Sequence, residues 1–212
     1  MKNLAYSAAA AALALAACST TLQTYSSAQH ETLRLEAAEL RAGGLAFLTP
    51  SAVTGKEEDT QALAQVFAAT LRSERPDLRV VALPQTLSEV NRAGLAATYR
   101  GMYQDYRDTG VFDAAALRKV ADAAGARYLA QLKLAEVHQG ARGRLSILGL
   151  SLLQTHYANL RVFLQVWDSR DGSIAWEGLD EVTFAIDSQR ERPIGFRDIA
   201  VQAAKDLIAR LP

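Results

Sequence analysis

Two short apolar runs with an amphipathic stripe between them constrain this chain most. Gly44 to Leu48 (GLAFL) stops at Thr49-Pro50, and Leu78 to Leu83 (LRVVAL) is the next such run. Both read as buried strands. Between them Leu63, Val66, Phe67, Thr70 and Leu71 recur at helical spacing, and Pro76 ends the stripe. A strand-helix-strand crossover almost always places its strands parallel, with a right-handed connection.

The pattern continues along the chain. Pro84 to Arg92 predicts a second helix, and Asp113 is a good N-cap for a third, in which Leu117, Val120, Ala121 and Ala124 share a face and Gly125 closes. Tyr128 to Val137 alternates Ala130, Leu132 and Leu134 against Gln131 and Lys133, as a half-exposed strand does. Tyr157 to Trp167 and Ser173 to Asp187 follow as a hairpin through Asp171-Gly172. Phe196, Ile199, Ala200, Ala203, Leu207 and Leu211 form the stripe of a last helix, with Pro193 near its start. The expected fold is a single α/β domain over residues 43–212, with a mixed sheet of about five strands in the order β-α-β-α-α-β-β-β-α.

The segment ahead of this domain has a different character. Lys2 precedes an apolar stretch from Leu4 to Leu15, too short to span a bilayer core of roughly 30 Å. Small residues then lead to Cys18, the only cysteine of the chain, so no internal disulfide can form. Leu15-Ala16-Ala17-Cys18 resembles the bacterial lipobox. That resemblance implies a signal peptide over 1–17, a diacylglyceryl thioether on Cys18 and an acyl chain on its new α-amine. At about 0.8 kcal/mol per buried methylene, several such chains hold a protein on a membrane. Ser19 after the cysteine favours the outer membrane in Gram-negative bacteria. Residues 18–42 are expected as tether: Ser19 to Gln29 has no apolar period, and Glu31 to Arg41 could form a short helix ending at Gly43-Gly44.

Composition narrows the function. Of 212 residues, 23 are basic and 23 acidic, a balance that gives no hint of a nucleic-acid partner. Enzymatic motifs are mostly missing. With Cys18 acylated there is no thiol nucleophile, and His30, His138 and His156 lie in different elements. In the loop "TPSAVTGKEED" Gly55-Lys56 resembles part of a phosphate-binding loop, but Pro50 stands at the first glycine and Glu57 at the hydroxyl position. Asp168 and Asp171 suit a hairpin turn better than calcium. Glu57-Glu58 and Asp180-Glu181 read as solvated surface in a loop and at a strand edge.

Two stretches remain as candidate partner-binding surfaces. In Leu95 to Phe112, Tyr99, Tyr103 and Tyr106 fall at helical spacing beside Arg100. Such residues dominate binding hot spots, and a tyrosine stripe also covers a sheet. Gly140 to Leu153 is basic and glycine-rich, then strongly apolar through Leu145, Ile147 and Leu148. It suits a hairpin end packed on the domain, or a surface for oligomerisation or membrane contact.

"GGLAFLTPSA", "LRKVADAAGARYLAQLKL" and "ANLRVFLQVWDSRDGSIAWEG", with a terminal "AAKDLIARLP", resemble the superfamily that includes the TolB amino-terminal domain, the curli-secretion lipoprotein CsgG and the activator LpoB. Asp168, Gly172 and Trp176 match its "D-x-x-x-G-x-x-x-W" hairpin. The resemblance implies a lipid-anchored periplasmic α/β domain that acts through protein contacts, with no catalytic residues and no cofactor beyond the lipid on Cys18. CsgG forms a pore with two membrane hairpins per subunit, whereas only Leu145 to Leu153 is a candidate here. The expectation is therefore an outer-membrane lipoprotein that binds or regulates a cell-envelope protein complex. The alternatives are a self-associating subunit of a secretion or pore assembly, and a periplasmic hydrolase with an unrecognised site.

Overall fold

A computed structural model of the chain describes residues 22–53, 57–147, 150–188 and 194–212. Its strands are β1 (Leu22–Thr32), β2 (Leu45–Phe47), β3 (Ser51–Ala52), β4 (Val80–Val81), β5 (Tyr128–Ile147), β6 (Leu150–Asp168) and β7 (Ser173–Ser188). Its helices are α1 (Ala37–Gly43), α2 (Glu57–Glu74), α3 (Leu83–Arg92), α4 (Ala96–Thr109), α5 (Ala114–Ala124) and α6 (Phe196–Ile208). One mixed sheet runs β1-β7-β6-β5-β2-β4, with β3 pairing on β5. The predicted crossover is present: β2 and β4 are parallel, as are β2 and β5, while β5, β6, β7 and β1 form an antiparallel half.

Alternation along the strands builds two apolar layers. Leu45, Phe47, Ala130, Leu132, Leu134, Leu160, Val162 and Leu164 face α2 and α6, whose Leu63, Phe67, Leu71, Ile199, Ala203 and Leu207 complete one core. Ala46, Leu48, Leu129 and Trp167 face the other way, onto Val90 of α3, Met102 of α4 and Leu117 and Val120 of α5. Asp113 caps α5 by accepting the Ala116 N–H at 2.7 Å, and Gly125 ends the helix at φ 67°, where a side chain would strain the backbone. The β6-β7 hairpin turns at Gly172 (φ 76°), whose N–H reaches the Asp168 carbonyl at 2.9 Å.

The sheet has seven strands where about five were expected. Most of the added length is β1, which takes up residues 22–29 of the expected tether. It pairs with β7 from Leu22↔Ile186 to Thr32↔Trp176. Among the described side chains of this strand Ala28 is the one hydrophobic residue packed on the core, so no apolar period marks it. Backbone bonding to the free edge of β7 forms it instead. Glu57-Glu58 opens α2 and does not lie in a loop, and the run at Leu78 to Leu83 contributes only Val80 and Val81 to the sheet before α3 begins.

Candidate functional site

The tyrosines of α4 point into the molecule. Tyr99 Oη accepts the Thr49 N–H at 2.9 Å, and Tyr103 Oη lies against the Thr49 carbonyl and 2.8 Å from Gln131 Oε1. Tyr106 donates to Gln165 Oε1 at 3.2 Å. Gln131 and Gln165 are cross-strand partners on β5 and β6, so the stripe of hydroxyls meets a polar rung of the sheet. Phe112 stacks on Tyr106 at 4.3 Å and meets Trp167 edge-on at 5.0 Å. Burial raises the pKa of all three tyrosines, that of Tyr103 well above the usual phenol value. The geometry is that of helix-on-sheet packing, with Arg100 exposed to solvent.

A different surface gathers charge at the end of the sheet where β5 begins and β6 ends. Arg127 donates Nε to Asp168 Oδ1 at 3.1 Å and Nη2 to Asp168 Oδ2 at 2.6 Å, a two-pronged pair. Its Nη1 is 3.1 Å from Glu39 Oε1, and Tyr128 Oη donates to Glu39 Oε2 at 3.2 Å. The guanidinium also covers the Tyr128 ring at 4.7 Å. The hydrogen bond from Arg127 holds Glu39 below the usual carboxylate range. Burial opposes ionisation of Asp168, but the Arg127 and backbone bonds outweigh it and lower that group too. Burial pushes Tyr128 up to about 12.

Beside this hub α1, α5 and the β6-β7 turn enclose an open crevice of about 690 Å³. Glu39, Asp122, Arg127 and Arg170 line it together with the small residues Gly43, Gly125 and Ser169. Arg79 ties the crevice walls together, donating to the carbonyls of Gly43 at 3.0 Å and of Gly125. The sequence carried one sign of this site, the Asp168 turn; Arg127 and Glu39 lie far apart in the chain and share no spacing that pairs them.

A second polar cluster corrects the reading of Asp180 as surface. Its residue exposure is 0%. Ser26 Oγ of β1 lies 3.1 Å from Asp180 Oδ1 and 2.7 Å from Asp206 Oδ2 of α6, while Asp180 Oδ2 has no partner among the described residues. Burial first, then the neighbouring Asp206 carboxylate, pushes the Asp180 acid up to about 6.

The remaining expected residues are Leu145 and Ile147, which lie on β5 and pair with Leu153 and Leu150 of β6; Leu148 and Cys18 fall outside the described residues. Among the described residues no three His, Cys, Asp or Glu side chains gather as a metal site, and no helix is long and apolar enough to cross a membrane. His30 stacks on Trp176 at 6.2 Å, and His138 sits 3.1 Å from Glu136.

No protein-family model matches the chain, and no curated protein matches it. Among solved structures, the PelC dodecamer from Paraburkholderia phytofirmans is similar at TM-score 0.45 and 15% identity, over 89% of this chain and 96% of that one. Lipoprotein GNA1162 from Neisseria meningitidis is similar at 0.40 and 17%, over 79% and 98%. The LpoB C-terminal domain from Salmonella enterica is similar at 0.36 and 14%, over 66% and 82%. Likeness of this degree assigns neither a family nor a role. The class defined by the fold itself is a single mixed α/β domain with helices on both sheet faces.

Proposed function

We propose that this chain is a lipid-anchored lipoprotein of the bacterial outer membrane. Its α/β domain stands in the periplasm and binds or regulates a cell-envelope protein complex without catalysis. The observation that carries this reading is Leu15-Ala16-Ala17-Cys18, followed after only three residues by β1. The lipid on Cys18 then fixes one end of the sheet at the membrane. The Arg127 crevice lies at the opposite end: along β6, His156 is level with the start of β1 and Asp168 is twelve residues further on. At about 3.4 Å per residue that is roughly 40 Å from the membrane-proximal rung. An exposed, charge-bearing crevice so placed suits a protein partner reaching in from the periplasm.

A self-associating assembly is the second reading. The outer edge of β1 favours it: eleven residues of edge strand with no lysine or proline to block pairing. In-cell crosslinking from Arg170 at the crevice, followed by sizing of the detergent-extracted protein, separates the two. A captured envelope protein on a monomer or dimer supports the first, and a large ring of this chain alone the second. Cys18→Ser should abolish acyl labelling and release the domain from membranes; persistent labelling refutes the anchor.

A further inference from the structure

Strand β1 makes little apolar contact for its length. From Gln23 to Thr32 it pairs on one side, with β7, and its other edge is open. Thr24, Ser26, Ala28, His30 and Thr32 share the face turned toward α6, and of these Ala28 packs on the core. Ser26 ties the middle of the strand to the helix layer, because its hydroxyl reaches both Asp180 of β7 and Asp206 of α6.

That tie needs a proton on Asp180. A serine hydroxyl has one hydrogen to give. With Asp180 protonated, its acid hydrogen goes to Ser26 Oγ at 3.1 Å and the Ser26 hydrogen to Asp206 Oδ2 at 2.7 Å, so the three groups form a chain. Once the proton leaves, two carboxylates compete for one hydrogen, and Asp180 Oδ2 already lacks a partner among the described residues.

The surroundings offer the anion little. Val162 of β6 and Ala28 of β1 stand directly opposite Asp180, and Gly178 and Val182 flank it on β7. His30, the other titratable side chain on that face of β1, stacks on Trp176 at 6.2 Å. From α6 come Asp206, with Gln202 on both its oxygens, and Arg210, the one cation that favours ionisation, which bonds to the Asp206 main-chain carbonyl. Opening β1 lets water reach the carboxylate. Burial and the Asp206 charge raise the folded acid to about 6 from 3.8, so docking is strongest below about pH 4 and weakens as pH rises through 6.

We infer that β1 is a proton-controlled strap, loosened from β7 and α6 when the Ser26-Asp180-Asp206 chain loses its proton, while the rest of the domain stays folded. The chain is fixed again at Leu33, Arg34 and Leu35, whose N–H groups all reach the Ala175 carbonyl at 3.0–3.1 Å. On the anchor proposed above, each opening therefore adds residues 23–32 to the tether, about 34 Å of extended chain.

Hydrogen exchange of the acylated full chain in detergent micelles, read by mass spectrometry, tests the strap. Corrected for intrinsic rates, amides of residues 23–32 should exchange faster than those of residues 129–134 in β5 at every pH, which makes the opening local. Their protection should fall about tenfold from pH 5 to pH 8. Asp180→Asn should abolish that fall, Asp206→Asn should move it to lower pH, and His30→Gln should leave it in place. Protection in β1 that ignores pH overturns the inference, as does a fall that survives in both aspartate variants or vanishes in His30→Gln. Protection in β1 equal to that in β5 also overturns it, since the strand would then open only with the whole domain. Mass measurement reports the anchor separately: protein without acyl chains defeats the tether reading and leaves the exchange result to judge the strap.

Discussion

Replacing Asp180 with Asn should make the protein more stable at neutral pH. Ser26 has one hydroxyl proton for two carboxylates, and the contact to Asp206 is the shorter, 2.7 Å against 3.1 Å. An ionised Asp180 is thus buried against a second negative group. The other charged groups at the cluster, Arg210 and Asp206, both come from the α6 end of the chain, and Gln202 of that helix already occupies both Asp206 oxygens at 3.0 Å. The folded acid titrates at about 6 against an ordinary 3.8, so the folded state holds its proton more tightly than the unfolded chain. The stabilisation is complete below about pH 4 and is lost as pH rises through 6. Two units at 1.36 kcal/mol each bound the whole effect near 3 kcal/mol, of which about 2 kcal/mol falls between pH 4.5 and 8.

An Asn keeps the shape, cannot ionise and offers an N–H to Ser26 or Asp206. Urea unfolding followed by tryptophan fluorescence at pH 4.5, 6 and 8 reads the difference, because Trp176 is wholly buried on the strand next to the edge. The Asn variant should gain about 2 kcal/mol on the wild type on going from pH 4.5 to 8. Comparing the two proteins at each pH cancels the other carboxylates. Parallel pH dependences, or an Asn variant weaker at pH 8, would refute the shared-proton account.

Arg127→Met should cost about 2–4 kcal/mol at pH 7, because Asp168 is left charged with its side chain 8% exposed; the loss should shrink in urea titrations at acid pH, since burial without the Arg127 bond favours the protonated carboxyl. Tyr103→Phe should cost about 1–2 kcal/mol by the same assay, since it strips a partner from Gln131, which is 1% exposed; an unchanged midpoint would mean the hydroxyl network adds nothing to packing.

Much of the fold could be read from the chain because its local signals agree with its packing. Asp113 caps, Gly125 terminates, Asp168 to Gly172 turns, and the apolar sets of α2 and α6 face the core they imply. Strand β1 could not be read, because an edge strand can form through backbone bonds to its neighbour with almost no apolar pattern. The tyrosine stripe was legible as a helix face but not as inward or outward, since the deciding partners Thr49, Gln131 and Gln165 sit on three other segments. Asp180 misled for the same reason. In sequence it alternates with Leu179 and Glu181, and only the register to β1 and the approach of α6 reveal it as the buried member.

The same strand that escaped notice limits how copies can meet. Two β1 edges pairing antiparallel about a two-fold axis would place their starts at opposite ends of the shared ladder. Over ten steps that separates them by about 34 Å along the strand. On the proposed Cys18 anchor, a dimer whose strands stand along the membrane normal would leave one anchor some 34 Å from the bilayer, again at about 3.4 Å per step. Four residues from Leu22 to Cys18 reach only about 14 Å, too little to close that gap. An upright two-fold dimer through β1 would therefore conflict with the proposed anchors lying in one leaflet. Upright copies held by the proposed anchor would instead pair with their strands pointing the same way, which brings unlike faces together and would lead to a ring or an open chain.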